Sequence, residues 1–372
     1  MEHTMNFAVV GAGGFARFAV QQFVKRPNVR LVAVFDNDAK AIAQLQSEHP
    51  QVKAHASLEQ LLADPAIALV YIASPPALHH EQSLAALRAG KHVICEKPAA
   101  IELNQAEELR DVAQANGLLF VVNLMQRYNP LFSAVKQLID QQLLGSFVHG
   151  YFENYASDEF LAPEHWFWDE SQSGGIFIEH GVHFFDMFEG WLGAGQVVAA
   201  QKLARPAHPG IWDICQCTVV YPHNAPVHFF HGFNQPKVLD RQEMRLQFER
   251  GEVTLLEWVP TRLSLNGLCT NAEVEQLKVI FPGCAITSVA AASSGQVAQG
   301  RFKTIAYDQK IHLDSGETQT KLEVYEGLVS RMFDDQLRWL PERTRARKID
   351  ADNAVNSLTV ATQADAMAIR LT

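Results

Sequence analysis

The stretch Val9-Val10-Gly11-Ala12-Gly13-Gly14-Phe15-Ala16-Arg17 joins a short apolar run to the start of a helical pattern. Within it, Gly11, Gly13 and Ala16 have the spacing G-x-G-x-x-A. Gly11 permits a tight turn, Gly13 lets a phosphate approach the backbone, and Ala16 lets the helix pack closely on the strand. The free N–H groups at the start of that helix attract an anion. Glycines after a strand can also mean only a tight turn, so the surrounding sequence decides.

From Asn6 to about Val122, short apolar runs alternate with helical segments. Near-continuous apolar runs are typical of parallel strands that are buried on both faces. These runs are Phe7–Val10, Arg30–Phe35, Leu69–Ile72, His92–Cys95 and Leu118–Val122. Between two of them, a helical segment ends beside Gly90, which is typical of a helix C-cap. The alternation predicts an α/β fold with a doubly wound parallel sheet, and we place this first domain at residues 1–122.

Asp36 follows the second predicted strand, about 20 residues beyond the glycine loop, where an acid hydrogen-bonds an adenosine ribose and repels a 2′-phosphate. The next residues, Asn37 and Asp38, offer no positive charge to such a phosphate. The alternative is a solvated aspartate that caps the following helix. With the glycine loop and the acid in register, the sequence predicts a nucleotide cofactor, NAD in preference to NADP.

Length and composition narrow the class of protein. The 372 residues exceed one usual core, so two domains are expected. A hydrophobic share of 48% is that of a folded chain, and a net charge of −10 disfavours nucleic acid as a partner. The five cysteines form no C-x-x-C pair. Since we find neither a secretory pattern nor an apolar run of roughly 18 residues, we expect a cytoplasmic protein without a membrane partner.

After Asn123 the pattern changes to half-buried strands separated by turn residues, which predicts a mainly antiparallel sheet in a second domain, residues 123–372. The predicted strands are Val197–Leu203, Cys215–Tyr221, Val227–Phe233 and Glu243–Phe248. We expect helices over Leu131–Leu144, closed by Gly145, and over Lys321–Leu340 and Asp350–Arg370. The small residues from Ala285 to Gly300 predict a mobile loop or linker, with a buried Ala-rich segment as the alternative.

Lys97, in the segment Glu96-Lys97-Pro98, comes just after a buried strand. Ligands of open α/β sheets bind at that edge, and a partly desolvated lysine there can polarise a substrate oxygen. The alternative is a surface ion pair between Lys97 and Glu96.

Residues 173–189 form a mostly apolar helical pattern with a narrow polar stripe of Glu179, His183 and Asp186 at i, i+4 and i+7. Polar groups on a buried helix need partners or a cavity, which is typical of active sites. One alternative is an inert ion pair of His183 with Glu179 or Asp186. Another is a metal site that includes His180, but the spacing is not H-E-x-x-H, so we predict no metal.

Four segments together resemble the glucose-fructose oxidoreductase / inositol 2-dehydrogenase (Gfo/Idh/MocA) family. They are Gly11–Ala16, Ser74–His79, Ala89–Pro98 and Gly174–His183. The resemblance covers the first domain and the first part of the second. It implies an NAD(P)-dependent oxidoreductase with a Rossmann domain, followed by an α/β domain whose large open sheet often mediates oligomers. A homodimer or homotetramer through that sheet is therefore expected.

The resemblance also implies residue roles. Lys97 would be the active-site lysine, and Ser74, Pro75 and His79 would line the cofactor side. His183 matches the family pattern G-G-x-x-x-D-x-G-x-H, but Glu179 stands where Asp is usual, and its extra methylene should carry the carboxylate deeper into the site. Trp166–Asp169 resembles the family's W-R-x-D with Phe167 in place of Arg, and Arg127 matches a strand-end arginine that contacts substrate or ties the domains together.

These observations predict reversible hydride transfer between NAD, or NADP, and a secondary alcohol of a small sugar, polyol or cyclitol, with His183 as general base. The alternatives are an NAD-dependent glycoside hydrolase of the same family and a non-catalytic NAD-binding sensor. The predicted catalytic residues are Lys97, His183 and Glu179. The predicted cofactor-binding residues are Gly11, Gly13, Gly14, Phe15, Ala16, Asp36, Ser74, Pro75, His79 and Glu96. The predicted substrate-binding residues are Arg127, Trp166, Trp168 and His180.

Overall fold

The computed structural model describes residues 4–290, 295–301, 303–316 and 318–372. The helices are α1 (Gly14–Phe23), α2 (Ala39–Glu48), α3 (Leu58–Leu62), α4 (Pro76–Arg88), α5 (Leu103–Ala115), α6 (Pro130–Asp140), α7 (Glu170–Ser173), α8 (Val182–Leu192), α9 (Asn271–Ile280), α10 (Lys321–Trp339) and α11 (Ala351–Met367). The strands are β1 (Met5–Val10), β2 (Val29–Phe35), β3 (Lys53–Ala54), β4 (Leu69–Ile72), β5 (His92–Cys95), β6 (Phe120–Val122), β7 (Phe147–Tyr155), β8 (Gln196–Leu203), β9 (Ile214–Tyr221), β10 (Ala225–Gly232), β11 (Arg241–Phe248), β12 (Gly251–Leu256), β13 (Arg262–Cys269), β14 (Ala285–Ala290), β15 (Gln296–Gln299), β16 (Thr304–Tyr307), β17 (Gln309–Gly316) and β18 (Ile369–Leu371).

The chain forms two compact units that are not continuous in sequence. The first unit contains the chain up to Met125 together with Pro163–Asp186 and Glu326–Ala366. The second contains Gln126–Ala162, Met187–Tyr325 and Met367–Thr372. The domain boundary after residue 122 stays a prediction from the sequence.

The first unit contains a parallel sheet with the strand order β3-β2-β1-β4-β5-β6. All five predicted strands are present, and the apolar runs of β4 and β5 have the predicted bounds. Strand β3 was missed because it is a two-residue edge strand whose side chains are exposed, so it has no apolar run. From β1 the strands are added first on one side, as β2 and β3, and then on the other side, as β4, β5 and β6. Ligands of such folds bind outside the carboxyl ends of the strands at this switch point, between β1 and β4.

Aromatic packing covers this sheet with helices from distant parts of the sequence. The rings of Phe23 on α1 and Phe333 on α10 stack with centroids 4.0 Å apart, and Phe23 meets Tyr71 of β4 edge to face at 5.0 Å. Arg26 donates to Asp334 at 2.6 Å beside them. The C-terminal part of α10 therefore completes the core of the first unit.

The second unit contains a sheet with the order β14-β17-β13-β12-β11-β7-β10-β9-β8-β18. Most neighbours pair antiparallel, as predicted, although β7 pairs parallel with β10, and β8 with β18. Burial alternates along its strands, for example in β9 and β11. One face packs on α8, where Phe188 meets Phe229 of β10 with centroids 5.1 Å apart. The predicted α/β class, a parallel Rossmann sheet followed by a mainly antiparallel sheet, is confirmed.

Three predictions about local structure were wrong. The stretch Ala285 to Gly300 was predicted as a loop, but its described residues include β14 and β15; residues 291–294 lie outside the described ranges. Helix α6 ends at Asp140 rather than Leu144, because Gln142 adopts a φ of 52° and turns the chain before Gly145 is reached. The last helix ends at Met367, and Ile369–Leu371 pairs with β8 instead.

No helix within the described residues is long and apolar enough to cross a membrane.

Gly11 is the glycine on which the β1–α1 turn depends. Its φ is +86°, and a Cβ there would lie 2.6 Å from the Ser74 nitrogen and 2.7 Å from the Ala73 oxygen, both backbone atoms. We expect Gly11→Ala to lower the free energy of unfolding by about 1–3 kcal/mol, through strain and the displaced loop after β4. Denaturant unfolding measures the change.

Gly14→Ala is the matched control, because a Cβ at Gly14 meets nothing within 4 Å and the residue is helical. This variant should be as stable as the parent or slightly more so, since Ala is the better helix former. Equal stability of Gly11→Ala and the parent would contradict the packing described for the turn.

Candidate active site

The glycine loop leaves the first helix with an open, uncapped N-terminus. Gly11 bonds back to β2 through its N–H and the Phe35 oxygen at 2.9 Å. Gly13 is the N-cap residue of α1 and has no side chain to cap the helix. The first turn of α1 contains no acidic residue. Added Cβ atoms at Gly13 and Gly14 would meet nothing within 4 Å. Free N–H groups next to open space form a cradle that fits a pyrophosphate.

Asp36, at the end of β2, holds the same loop. Its Oδ2 accepts from the Ala12 N–H at 2.6 Å and its Oδ1 from the Asp38 N–H at 2.7 Å. The helix α2 is capped by Asp38, which accepts from the Lys40 N–H, so the capping alternative belongs to Asp38 and not to Asp36. A carboxylate oxygen has more than one acceptor site, so Asp36 can still accept a ribose hydroxyl.

The other predicted cofactor residues in the β4–α4 region differ in what they contact. Ser74 is half-buried and donates its hydroxyl to Gln82 at 2.6 Å. Pro75 is half-buried at the start of α4. His79 is buried, with Nε2 2.7 Å from the Ser74 oxygen and Nδ1 2.7 Å from the Pro98 oxygen. Phe15 packs near Phe18, with ring centroids 5.7 Å apart.

Glu96 is buried, and the Lys97 side chain forms its ion pair with Glu179 rather than with Glu96. Its Oε1 accepts from the Tyr71 hydroxyl at 2.6 Å and from the Asn123 amide at 2.9 Å. Burial raises the pKa of Glu96 to about 7, although these two hydrogen bonds oppose the rise. Sequence reasoning missed Tyr71 and Asn123. A tyrosine within an otherwise aliphatic buried strand was the available signal, since a buried hydroxyl needs a polar partner.

Lys97 instead pairs with Glu179. Its Nζ donates to the Glu179 backbone oxygen at 2.9 Å and forms an ion pair with Oε1 of the same residue. The side chains are 20% and 10% exposed, so the pair is largely shielded from water. An ammonium group has three N–H donors, and two point at Glu179. These two contacts leave one N–H of Lys97 unused among the described residues.

Glu179 lies in a wide π-turn, Phe177–Gly181, that continues into α8. The sequence predicted a regular helix here. Such turns are rare in proteins, and those that occur are frequently found at functional sites. Gly181 permits the turn to pack, because a Cβ there would lie 2.7 Å from the Phe185 ring. Asp186, the last member of the predicted polar stripe, is buried and accepts from the Asn353 amide at 3.4 Å.

His183, in the first turn of α8, is a buried and neutral imidazole. It is 8% exposed, and its Nδ1 has no hydrogen-bond partner. Burial lowers the pKa of His183 to about 3, and the charge of Lys97 contributes to the lowering. Near neutral pH the ring therefore holds no extra proton. A neutral imidazole beside an ammonium group can accept a proton from a hydroxyl that the ammonium polarises.

The predicted substrate residues are less closely tied to this group. Trp168 is buried and Trp166 half-buried in a short helical turn, with Phe167 meeting Trp168 edge to face at 4.7 Å. His180 lies 5.1 Å from the Phe184 ring centroid. Arg127 belongs to the second unit, where its guanidinium lies 5.4 Å over the Phe132 ring.

Among the described residues, no three His, Cys, Asp or Glu side chains are grouped to hold a metal ion.

Comparison with known protein families matches two segments of the chain, one in each predicted domain. Residues 5–124 match the oxidoreductase family with an NAD-binding Rossmann fold, GFO/IDH/MocA. Residues 132–254 match the C-terminal domain of the same family.

Two curated relatives are similar over part of the chain. A 1-carboxy-3-chloro-3,4-dihydroxycyclohexa-1,5-diene dehydrogenase of Comamonas testosteroni is 28% identical over 58% of this chain and 52% of its own. An NAD(+)-dependent scyllo-inositol 2-dehydrogenase of Bacillus subtilis is 28% identical over 52% of this chain and 56% of its own. The chain thus spans little more than half the length of these relatives.

The fold itself is shared over the full length. The crystal structure of the WlbA dehydrogenase from Bordetella pertussis, in complex with NADH and UDP-GlcNAcA, superposes with a TM-score of 0.76. The likeness covers 99% of this chain and 96% of that one at 16% identity, which shows the fold alone. With both of its domains matched and its Rossmann sheet in place, the chain belongs to the Gfo/Idh/MocA family of oxidoreductases.

Proposed function

We propose that this protein is an NAD-dependent dehydrogenase that transfers a hydride between nicotinamide and a secondary alcohol of a sugar, polyol or cyclitol. The observation that carries the proposal is the group of Lys97, Glu179 and His183. It combines a held ammonium donor with a neutral imidazole at the ligand-binding edge of a dinucleotide fold. This is the pair of groups that alcohol oxidation requires, one to stabilise an alkoxide and one to accept its proton.

The residues present fit the cofactor. The uncapped start of α1 and the open space at Gly13 and Gly14 suit the pyrophosphate, and Asp36 suits the adenosine ribose. The bound nicotinamide would supply the hydride acceptor in alcohol oxidation. The negative charge of Asp36 favours NAD over NADP because a 2′-phosphate would meet like charge there.

Lys97 and His183 divide the work on the substrate hydroxyl. The remaining N–H of Lys97 donates to the substrate oxygen and stabilises the negative charge that develops there. His183 accepts the hydroxyl proton, for which its unprotonated state at neutral pH is required. Glu179 keeps the Lys97 ammonium oriented and is itself engaged by that ammonium, so we assign it to Lys97 rather than to His183.

The proposed substrate class follows from the charge and polarity of these groups. Lys97 and Glu179 form an ion pair without net charge, so this side of the site offers no excess positive charge to an anion and suits an uncharged polyhydroxy compound. The relative from Bacillus subtilis, a scyllo-inositol 2-dehydrogenase, supports a cyclitol. Trp166 is half-buried, and we propose that its ring stacks on a sugar.

The first experiment is a substrate screen with NAD and with NADP, followed by nicotinamide absorbance. The panel contains myo- and scyllo-inositol, free hexoses, linear polyols and aryl glycosides. Accumulation of NADH with a free polyol or sugar supports the dehydrogenase. Release of aglycone without net NADH supports the hydrolase, and NAD binding without turnover on the whole panel supports a sensor.

Lys97→Met should remove the donor to the developing alkoxide while keeping the side-chain volume. We expect kcat to fall about 100-fold or more, with the NADH dissociation constant unchanged. Steady-state kinetics and NADH fluorescence titration measure the two quantities.

Lys136→Met is the control, since Lys136 pairs with Asp140 at the exposed surface of α6, and this variant should behave as the parent does. Full turnover in Lys97→Met would remove Lys97 from the mechanism. Lost NADH affinity with an unchanged kcat would reassign it to cofactor binding.

Asp36→Ala should change cofactor choice. Loss of a charge-assisted hydrogen bond to the ribose should weaken NAD binding by about tenfold or more, and loss of repulsion should improve NADP binding. Binding of both cofactors is measured by calorimetry.

Asp38→Ala is the matched control, because Asp38 is an exposed acid two residues away that caps α2. It should lower stability by about 1 kcal/mol and leave the ratio of NAD to NADP affinity unchanged. A ratio that shifts equally in both variants would show that general negative charge, and not Asp36, selects the cofactor.

The large sheet of the second unit supports a homodimer or homotetramer as the assembly we propose. Val148 on β7 and Val198 on β8 are 47% and 50% exposed, so the sheet presents apolar side chains to its surroundings.

A further inference from the structure

His79 is enclosed between two backbone carbonyl groups. The side chain is 1% exposed, its Nε2 lies 2.7 Å from the Ser74 oxygen, and its Nδ1 lies 2.7 Å from the Pro98 oxygen. Both ring nitrogens face a carbonyl oxygen, so the ring donates to one of the two carbonyls as a neutral imidazole and to both when it is protonated. Neither ring nitrogen is left to bond a cofactor or a substrate.

The two carbonyl groups belong to the loops that follow β4 and β5, at the edge where the ligands of such sheets bind. Pro98 directly follows Lys97. Ser74 lies against the glycine loop, since its nitrogen would be 2.6 Å from a Cβ at Gly11. The buried His79 ring therefore contacts both Ser74, which lies next to the glycine loop, and Pro98, which follows Lys97.

We propose that His79 is a positioning residue: by bridging Ser74 and Pro98 it fixes the loop that aims Lys97 at the substrate oxygen. The inference rests on the role proposed above for Lys97. It departs from the resemblance, which implies that His79 lines the cofactor. The segment after β5 has a second support on its inner side, where Tyr71 and Asn123 hold Glu96. His79 supports the same segment from the side that faces α4, through its contact with the Pro98 oxygen.

The next residue of the chain offers a matched control. His80 is also on α4, but its Nε2 contacts Glu108 of α5 at 2.9 Å. That contact joins two helices and touches neither loop. The effects of replacing His79 and His80 thus separate support of the lysine loop from general support of α4.

The test compares His79→Phe, His79→Gln and His80→Phe in the full chain. Phe keeps an aromatic ring without any nitrogen, while Gln keeps a side-chain N–H donor without the ring. Three quantities are measured: the rate of reductive methylation of Lys97, by mass spectrometry with the other lysines as internal references; the NADH dissociation constant; and kcat and KM separately for an active substrate.

In His79→Phe we expect Lys97 to be methylated several times faster, because its loop is released from the position that holds the ammonium against Glu179. We expect kcat to fall about 100-fold, as a displacement of about 1 Å can cause, with little change in the NADH dissociation constant. His79→Gln should lie between His79→Phe and the parent, and His80→Phe should match the parent in all three quantities.

Weakened NADH binding with unchanged Lys97 reactivity in the His79 variants would overturn the proposal and return His79 to the cofactor side. Equal effects of His79→Phe and His80→Phe would show only a general role in α4. If His79→Phe does not fold, His79→Gln carries the same comparison. If even the parent turns over no substrate, the proposed function fails, while the reactivity of Lys97 still decides whether His79 fixes the loop.

Discussion

The shielded ion pair between Lys97 and Glu179 is the interaction on which the proposed chemistry of the site depends. A charge that is removed from water is costly unless a partner of opposite sign lies close to it, and Glu179 meets Lys97 with both its carboxylate and its backbone oxygen. The charged lysine in turn disfavours a second positive charge on His183, which burial already disfavours. One ion pair thus holds an ammonium donor, and the charge of that donor helps to keep the His183 imidazole neutral.

The parallel sheet brings these groups to one place. Strands β1, β4 and β5 are neighbours and run in the same direction, so their carboxyl ends deliver the glycine loop, Ser74 and Lys97 to a common edge. Gly11 is needed because the loops after β1 and β4 approach closely enough to exclude a Cβ. The π-turn then supplies Glu179, and the first turn of α8 supplies His183. The proposed cofactor site and the proposed acid–base groups therefore share the backbone of neighbouring loops.

The sequence predicted those parts of the molecule that depend on local pattern. Buried parallel strands appear as continuous apolar runs, and the glycine spacing, Asp36, Lys97 and His183 stand at strand and helix ends that such runs define. Features that depend on tertiary contacts were not predicted from the sequence. Strand β3 is too short to show a pattern, and the small, polar residues of β14 lie on a sheet edge, where burial imposes little alternation. The partner of Glu179 was missed because a helix pattern alone pointed to His183, while Lys97 lies 82 residues away in sequence. The contacts of His79 are with backbone carbonyl groups, which every residue carries, so neither composition nor spacing could predict them.

The central claim is that the protein transfers a hydride from a carbinol carbon while His183 removes the hydroxyl proton. The most direct measurement uses the substrate found in the screen, labelled with deuterium at the carbinol carbon, and follows the label by mass spectrometry of the nicotinamide product. The account predicts that the parent moves one deuterium to NADH, and that His183→Gln binds NADH normally but transfers deuterium far more slowly. Unlabelled NADH from the parent, or transfer at the parent's rate in His183→Gln, would contradict it.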